Sequence, residues 1–206
     1  MLGYFRYFVC LNYLHSNKME NLNTEIHNAF EVIKSGGIIL YPTETVWGIG
    51  CDATNPEAVA KIYALKQREE SKSMIVLMNG EKMMYNVFKD IPEVAWQILD
   101  LSEKPTTLIL DNPRNIAPNL ISDKTLGIRI IKEPFAYKLL ERMKKPLVST
   151  SANISGKPTP MNFKEISQEI LKGVDYVVNL PNEKMTGKPS AIIKLTSDSQ
   201  VKIIRK

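Results

Sequence analysis

Residues 37–50 read GIILYPTETVWGIG, and this stretch decides the fold class. Its first five residues form an apolar run bounded by glycine and proline, which is typical of a short buried strand. A helical spacing of apolar residues covers 24–33, before the strand, and Asn55 followed by Pro56 predicts that a helix starts after it. A strand flanked by two helices indicates an α/β fold.

The same alternation of apolar patterns continues to the end of the chain. The second helix is expected to reach about Lys66. We predict further helices at 91–101, 135–143 and 163–171, and further strands at 74–77, 107–110, 126–131, 146–148, 176–180, 191–195 and 201–204. Since no repeat or linker divides these elements, we expect one α/β domain with a largely central sheet.

Composition limits the classes of function. The chain has 206 residues, of which 44% are apolar and 24% charged, and this excludes a disordered or collagen-like protein. The 27 basic and 22 acidic residues give a net charge of +5, which suits polyanionic partners such as nucleotides or RNA. Two cysteines and two histidines disfavour a disulfide framework, a zinc cluster and a nucleophile activated by histidine. The chemistry must therefore use hydroxyls, amides, lysines, arginines and carboxylates.

The first eighteen residues, MLGYFRYFVCLNYLHSNK, differ from the rest of the chain. They hold two basic residues and no acid, so residues 19–206 carry a net charge of +3. Polar residues interrupt their apolar stretch, which is too short for a membrane span and unlike a secretory signal. We expect residues 1–18 to be a leader outside the native protein, with translation starting at Met19, and residues 19–206 to form the domain.

Polar side chains follow the strand within the opening stretch. Pro42 ends this strand and places Thr43, Glu44 and Thr45 at its carboxyl end, where open α/β sheets bind ligands. The two threonines could equally be turn residues that hydrogen-bond to their own backbone. Spacing alone leaves both interpretations open.

Cations cluster where the second helix is expected to end. Lys66, Arg68 and Lys72 lie within seven residues of one another. Such a run usually complements the helix dipole. Lys66 and Arg68 can instead converge on one anion, for which arginine supplies a bidentate fork, and a triphosphate needs about this much positive charge.

A third polar cluster follows the strand predicted at 146–148. Residues 148–156 read VSTSANISG, with five polar side chains within seven residues. Small hydroxyls, one amide and backbone N–H groups suit a phosphate or carboxylate, and we favour this interpretation over a loop that caps the next helix. Arg129 lies in the middle of an apolar strand, where it either faces solvent or reaches into a site.

Four segments occur in a fixed order: YPTETVWGIG, LKQR with Lys72, LGIRI and PLVSTSANISG. Together they resemble the YrdC/TsaC family of threonylcarbamoyl-AMP synthases over residues 22–206. The resemblance implies a single-domain, open, twisted mixed sheet with flanking helices and a positively charged concave face. It also implies that L-threonine, bicarbonate and ATP give threonylcarbamoyl-AMP and pyrophosphate, the first step of N6-threonylcarbamoyladenosine modification at position 37 of tRNA.

The resemblance further implies the residues of the site. Catalysis would use Lys66 and Arg68, whose charges would stabilise the phosphates. ATP binding would use Lys66, Arg68, Lys72, Thr107, Ser151 and Asn153, and threonine binding would use Thr43, Arg129, Ser149 and Ser190. Magnesium is expected to arrive with the nucleotide, without a metal site in the protein. The chain departs from the family pattern at Glu69, Ser73 and Leu77.

Partners follow from the same resemblance. We expect a cytoplasmic protein without membrane contact that hands its product to a tRNA threonylcarbamoyl transferase and that contacts tRNA or RNA. One alternative is a non-catalytic module of the same fold that binds double-stranded RNA or tRNA by charge. Another is the related carbamoyl transfer of hydrogenase maturation proteins, which ranks last because those proteins carry additional domains.

Overall fold

The computed structural model describes residues 19–70, 73–181, 187, 190–196, 198 and 200–205. The expected leader at 1–18 and Lys72 lie outside the described residues. The described helices are α1 (19–34), α2 (Pro56–Leu65), α3 (Glu81–Val87), α4 (Glu93–Leu101), α5 (Pro134–Met143) and α6 (Gln168–Gly173), with 3₁₀ turns at Pro118–Leu120 and Phe163–Glu165. The described strands are β1 (Ile39–Pro42), β2 (Trp47–Gly50), β3 (Ile75–Met78), β4 (Thr106–Asp111), β5 (Thr125–Ile130), β6 (Leu147–Ser151), β7 (Tyr176–Val177), β8 (Ala191–Leu195) and β9 (Val201–Arg205).

Within the described residues, the strands form one nine-stranded sheet with the order β7-β1-β2-β6-β3-β5-β4-β8-β9. The pairs β1 with β7, β3 with β5 and β4 with β8 are parallel, and the other neighbours are antiparallel. The expected mixed sheet with flanking helices is therefore confirmed.

The start of α2 agrees with the sequence pattern. The Asn55 Oδ1 atom accepts hydrogen bonds from the backbone N–H groups of Glu57 and Ala58 at 3.0 and 3.2 Å. Pro56 takes the first helical position, where its missing N–H group leaves no bond unmade. A cap of this kind stabilises a helix by about 1 kcal/mol, so the start of α2 is fixed locally.

The two faces of the sheet are covered differently. Residues paired across neighbouring strands share a face, as Ile75 of β3 and Ser149 of β6 do. One face packs its apolar side chains against α2, α3, α4 and α6. The opposite face is covered by α1 and α5 over Tyr41, Leu77 and Leu147. Farther along this second face the side chains become polar, and the candidate site lies there.

Three local differences from the sequence prediction have physical causes. The pattern misses β2, because Gly48 and Gly50 lower its strand propensity, and it also misses the short helix α3. The prediction of a single helix over 163–171 is wrong. Asn162 caps a 3₁₀ turn by accepting the Lys164 N–H, and Ser167 separately caps α6, so two short helical segments replace it.

Candidate active site

A cavity of about 280 Å³ opens on the polar part of the second sheet face. It lies between the loop that follows β1, the chain after α2, and the strands β3, β5, β6 and β8. Three arginines line it, Arg68, Arg129 and Arg205, and no carboxylate does among the described residues. The hydroxyl-bearing residues that line it are Thr43, Thr45, Ser73, Ser149, Thr150, Ser151, Thr159 and Ser190. Such a lining suits an anionic ligand.

Thr43 lines this cavity and also organises the turn after β1. Its Oγ1 atom accepts hydrogen bonds from the N–H groups of Thr45 and Val46 at 3.1 and 3.2 Å, and donates to the Val46 carbonyl at 2.7 Å. The turn interpretation from the sequence is therefore confirmed for Thr43. Because its hydroxyl is already engaged, Thr43 shapes the cavity wall and fixes the loop around it.

The two cations at the end of α2, Lys66 and Arg68, point in different directions. The N–H groups of Gln67 and Arg68 bond to the carbonyls of Ala64 and Tyr63, and Gln67 has a left-handed φ of 50°. These two bonds form a Schellman motif, which turns the chain sharply at the helix end. Arg68 then lines the cavity, and its Nη2 donates to the Ser73 carbonyl at 2.9 Å.

Lys66, by contrast, turns inward. Its side chain is 1% exposed, and its Nζ donates to the backbone carbonyls of Ser151 and Asn153 at 2.5 and 2.6 Å. Burial and, to a lesser extent, the nearby charge of Arg68 together lower the pKa of Lys66 to about 8. Lys66 therefore joins the end of α2 to the end of β6, and it does not line the cavity that Arg68 faces.

The loop that Lys66 holds contains a buried acceptor. Ser151 lines the cavity, whereas Asn153 lies behind it. The Asn153 Nδ2 donates to the carbonyls of Ile154 and Lys157 at 3.0 and 2.8 Å. These two bonds fix the orientation of the amide, and its buried Oδ1 has no hydrogen-bond partner among the described residues. Such an acceptor can receive a hydrogen bond from a ligand.

Arg129 is the buried cation of the cavity. It is 3% exposed, although it stands in the middle of the apolar strand β5, and it shares a sheet face with Ser149. Its Nε is buried without a hydrogen-bond partner among the described residues. Burial lowers the pKa of Arg129, and the Glu44 carboxylate partly opposes this effect. Of the two positions expected for Arg129, the structure shows the one inside the site.

Thr107 and Arg205 contribute through Ser190. Thr107 has no exposed surface, and its Oγ1 lies 2.9 Å from the Ser190 Oγ, so it supports Ser190 from behind the cavity lining. The ATP contact expected of Thr107 stays a prediction. The Arg205 Nε donates to the Ser190 carbonyl at 2.9 Å. The sequence pattern gives no signal for Arg205, which lies far along the chain in the edge strand β9.

The structure thus gathers most, but not all, of the expected residues. Those that line the cavity are Thr43, Arg68, Arg129, Ser149, Ser151 and Ser190. Lys66, Thr107 and Asn153 lie behind that lining and contact it.

A second, larger cavity of about 640 Å³ has a different character. Carboxylates dominate the charged side chains that line it, which are Glu44, Glu81, Glu93, Asp100 and Glu103 against Lys104 and Lys132. The aromatic rings of Tyr85 and Trp96 lie 5.7 Å apart beside them. An excess of negative charge repels phosphates and carboxylates, so this cavity is the poorer site for an anion.

Among the residues that the structure describes, no group of three or more histidine, cysteine, aspartate or glutamate side chains could hold a metal ion. No described helix is both long and apolar enough to cross a membrane.

Known proteins of similar sequence point to one family. A family model named Sua5/YciO/YrdC and described as "Telomere recombination" matches residues 31–206. A Methanocaldococcus jannaschii protein described as a candidate threonylcarbamoyl-AMP synthase is 37% identical over 83% of this chain and 80% of its own length. A Photobacterium profundum protein named threonylcarbamoyl-AMP synthase is 32% identical over 74% of this chain and 82% of its own length.

A solved structure is also similar to this chain. P. abyssi Sua5 complexed with L-threonine matches 82% of this chain with a TM-score of 0.76 and 28% sequence identity. This chain covers 50% of the length of that Sua5 chain. The fold is therefore shared with a protein of known structure.

Proposed function

Because the chain belongs to the Sua5–YciO–YrdC family, we propose that it is an L-threonylcarbamoyladenylate synthase. It combines L-threonine, bicarbonate and ATP into threonylcarbamoyl-AMP and releases pyrophosphate. The names of the two relatives support this reaction, and the threonine complex of P. abyssi Sua5 supports L-threonine as a substrate. The chain is accordingly a transferase of the nucleotidyltransferase class.

The reaction consists of two bond-forming steps. The threonine amine nitrogen attacks the bicarbonate carbon, and the new C–N bond forms with loss of one water molecule to give a carbamate. A carbamate oxygen then attacks the α-phosphorus of ATP, and the bond to the bridging oxygen of the β-phosphate breaks to release pyrophosphate. Neither step requires a covalent bond to the protein, so the enzyme contributes by holding anions together and neutralising them.

One observation carries the proposal, namely the buried Arg129 in a cavity whose described lining holds no acid. The Nε of this buried cation has no hydrogen-bond partner among the described residues, and the Glu44 carboxylate only partly opposes the effect of burial. An incompletely compensated buried charge is unfavourable by several kcal/mol, and an anionic ligand lowers that penalty. Arg129 therefore binds the carboxylate of L-threonine. Ser149 and Ser190 add hydroxyl groups beside it, and Thr43 forms the adjacent wall.

The ATP side of the cavity uses the other two arginines. Arg68 and Arg205 contact the phosphates, and Ser151 contacts the nucleotide. Asn153 does not line the cavity, and a contact between its unpaired Oδ1 and the nucleotide stays a prediction. Lys66 acts from behind by holding Ser151 and Asn153 in place. Magnesium enters with ATP as part of the substrate, and a phosphate contact by Lys72 stays a prediction.

Pyrophosphate release in the presence of L-threonine, bicarbonate and ATP tests the function. Each substrate is omitted in turn, and release should stop in every omission. L-Serine and L-valine serve as matched amino acids that lack the methyl group or the hydroxyl of threonine. Release that continues without threonine would contradict the proposal.

The non-catalytic RNA-binding alternative is disfavoured, because the sequence relatives are named as synthases. We propose that the product passes to a tRNA threonylcarbamoyl transferase in the cytoplasm for modification of adenosine 37. Direct contact with tRNA is part of this proposal, and a gel shift with unmodified tRNA at two salt concentrations tests it.

A further inference from the structure

Tyr41 crosses the sheet beneath the candidate active site. It lies in β1 and is fully buried, and the neighbouring strand β2 carries Gly48 and Gly50. A Cβ atom added to Gly50 would lie 3.0 Å from the Tyr41 Cε1, and one added to Gly48 would lie 3.4 Å from it. The contact at Gly48 is an ordinary van der Waals distance, whereas a Cβ atom at Gly50 would crowd both the Tyr41 ring and, at 2.6 Å, the Val148 carbonyl oxygen. Gly50 therefore helps to leave room for the Tyr41 ring to pass over β2 and reach β6.

The Tyr41 hydroxyl ends at a residue of the cavity. It donates a hydrogen bond to the Ser149 Oγ at 2.9 Å, and Ser149 is the β6 residue that lines the cavity beside Ser151. Because Ser149 accepts this bond, its own O–H proton remains available as a donor. The serine hydroxyl is thereby oriented from below and can point toward a ligand.

The same phenol lies within electrostatic reach of Arg129. Burial raises the pKa of Tyr41 well above its ordinary value, so the phenol stays neutral and keeps its proton. A neutral phenol can donate to Ser149, and it does not compete with a substrate carboxylate for the charge of Arg129. Tyr41 thus supports a serine donor and adds no negative charge beside the arginine cation.

We propose that Tyr41 is a positioning residue for L-threonine, which acts by orienting the Ser149 hydroxyl beside Arg129. This role rests on the proposed synthase function and assigns a task to a residue that does not line the cavity. Gly50 of β2 belongs to the same arrangement, because a side chain there would crowd the Tyr41 ring as well as the Val148 carbonyl.

Simple packing is the competing explanation for Tyr41. Its ring lies 5.9 Å from the Phe135 ring within the core that α1 and α5 cover, and this contact alone could account for a buried aromatic residue. Tyr41→Phe separates the two explanations, because phenylalanine keeps the ring and removes only the hydroxyl.

The experiment compares threonine binding and turnover in wild type and Tyr41→Phe. Calorimetry gives the Kd of L-threonine, and pyrophosphate release gives kcat and the KM of each substrate. We expect the Kd and KM of threonine to rise about tenfold, with kcat changed less than about threefold and the KM of ATP less than about twofold. Ser149→Ala should raise the KM of threonine similarly, and adding Tyr41→Phe to it should change little more.

Tyr176→Phe is the matched control. The hydroxyl of Tyr176, which lies on β7, donates to Glu25 at 2.8 Å and accepts from the Asn28 amide at 3.2 Å. This variant therefore also loses tyrosine hydrogen bonds, but away from the cavity. Its threonine KM should equal that of wild type. A wild-type threonine KM in Tyr41→Phe would overturn the positioning role alone. If kcat and the melting temperature fall while the KM values of both substrates rise in parallel, Tyr41 is a packing residue only. A wild-type protein whose pyrophosphate release ignores threonine would overturn the synthase function as well.

Discussion

Two cavities border the loop formed by residues 43–46, and they differ in size and in charge. The larger, of about 640 Å³, is lined by five carboxylates and two lysines. The smaller, of about 280 Å³, is lined by three arginines and, among the described residues, by no acid. Thr43, Thr45 and Val46 line the smaller cavity, and Glu44 lines the larger. Neighbouring side chains of one short loop thus contribute to opposite electrostatic environments.

Charge separates the two cavities more clearly than volume does. The largest pocket is the usual first choice for a binding site. The proposed substrates are a carboxylate, a bicarbonate and a triphosphate, so we expect charge to decide between the cavities. The buried Arg129, whose Nε has no partner among the described residues, marks the smaller cavity as the place where an anion compensates a real penalty.

Arg129→Met should produce the largest effect, because it removes the cation while keeping a side chain of similar length. We expect kcat/KM for threonine to fall by about 200- to 1,000-fold, which corresponds to about 3 to 4 kcal/mol. The free energy of unfolding should stay the same or rise, because a buried and incompletely paired charge is lost.

Steady-state pyrophosphate release and urea unfolding measure the two quantities. Arg142→Met is the control, since Arg142 is an exposed arginine on α5 that packs over the Phe30 ring and does not line the cavity. A large loss of stability in Arg129→Met with little loss of activity would reverse the comparison, since Arg129 would then be structural.

The pH dependence of stability sharpens the same contrast at Lys66. Burial gives the folded chain a Lys66 pKa of about 8, below the ordinary value of 10.5. Between these two pH values the unfolded chain holds a proton that the folded chain has released, so raising the pH favours folding. The free energy of unfolding of the wild type, relative to that of Lys66→Met, should therefore rise by about 3 kcal/mol from pH 8 to 10.5. Urea unfolding at several pH values measures it, and a constant difference would contradict the burial of this ammonium group.

Lys66→Met should have a smaller effect on catalysis, since Lys66 acts through the backbone of residues 151–153. We expect the KM of ATP to rise about tenfold, or about 1.4 kcal/mol, with little change in the KM of threonine. Lys61→Met is a matched control, because Lys61 also lies on α2 and donates to a backbone carbonyl, that of Gly36, at 3.0 Å. An equal rise in both KM values would show that Lys66 supports the whole cavity.

The sequence predicts the positions of helices and strands better than it predicts where individual side chains point. Asn55 and Pro56 fix the start of α2 locally, so its position is readable from the chain. The strand β2 is missed because its glycines lower the strand propensity, and the close contacts that favour glycine at position 50, with the Val148 carbonyl and the Tyr41 ring, are tertiary contacts without a local signal. The sequence shows that Lys66 and Arg68 are close together, but it does not show that the chain turns between them. The turn depends on a left-handed backbone conformation at Gln67, which the sequence does not indicate because the residue is not glycine.

The smallest effect should come from changing the larger cavity. Glu93→Lys inverts one of its five carboxylates and moves its charged lining toward the balance of the smaller cavity. If ATP bound in the larger cavity, this change would strengthen ATP binding, because it reduces the negative charge there. We expect kcat/KM for threonine and for ATP to change less than about twofold, because Glu93 lines no part of the arginine cavity and exposed charges are screened by salt. Glu103→Lys, on the same cavity, repeats the test from a second position. An increase of tenfold or more in ATP affinity in both variants would mean that the nucleotide occupies the larger cavity and that the arginines serve threonine alone.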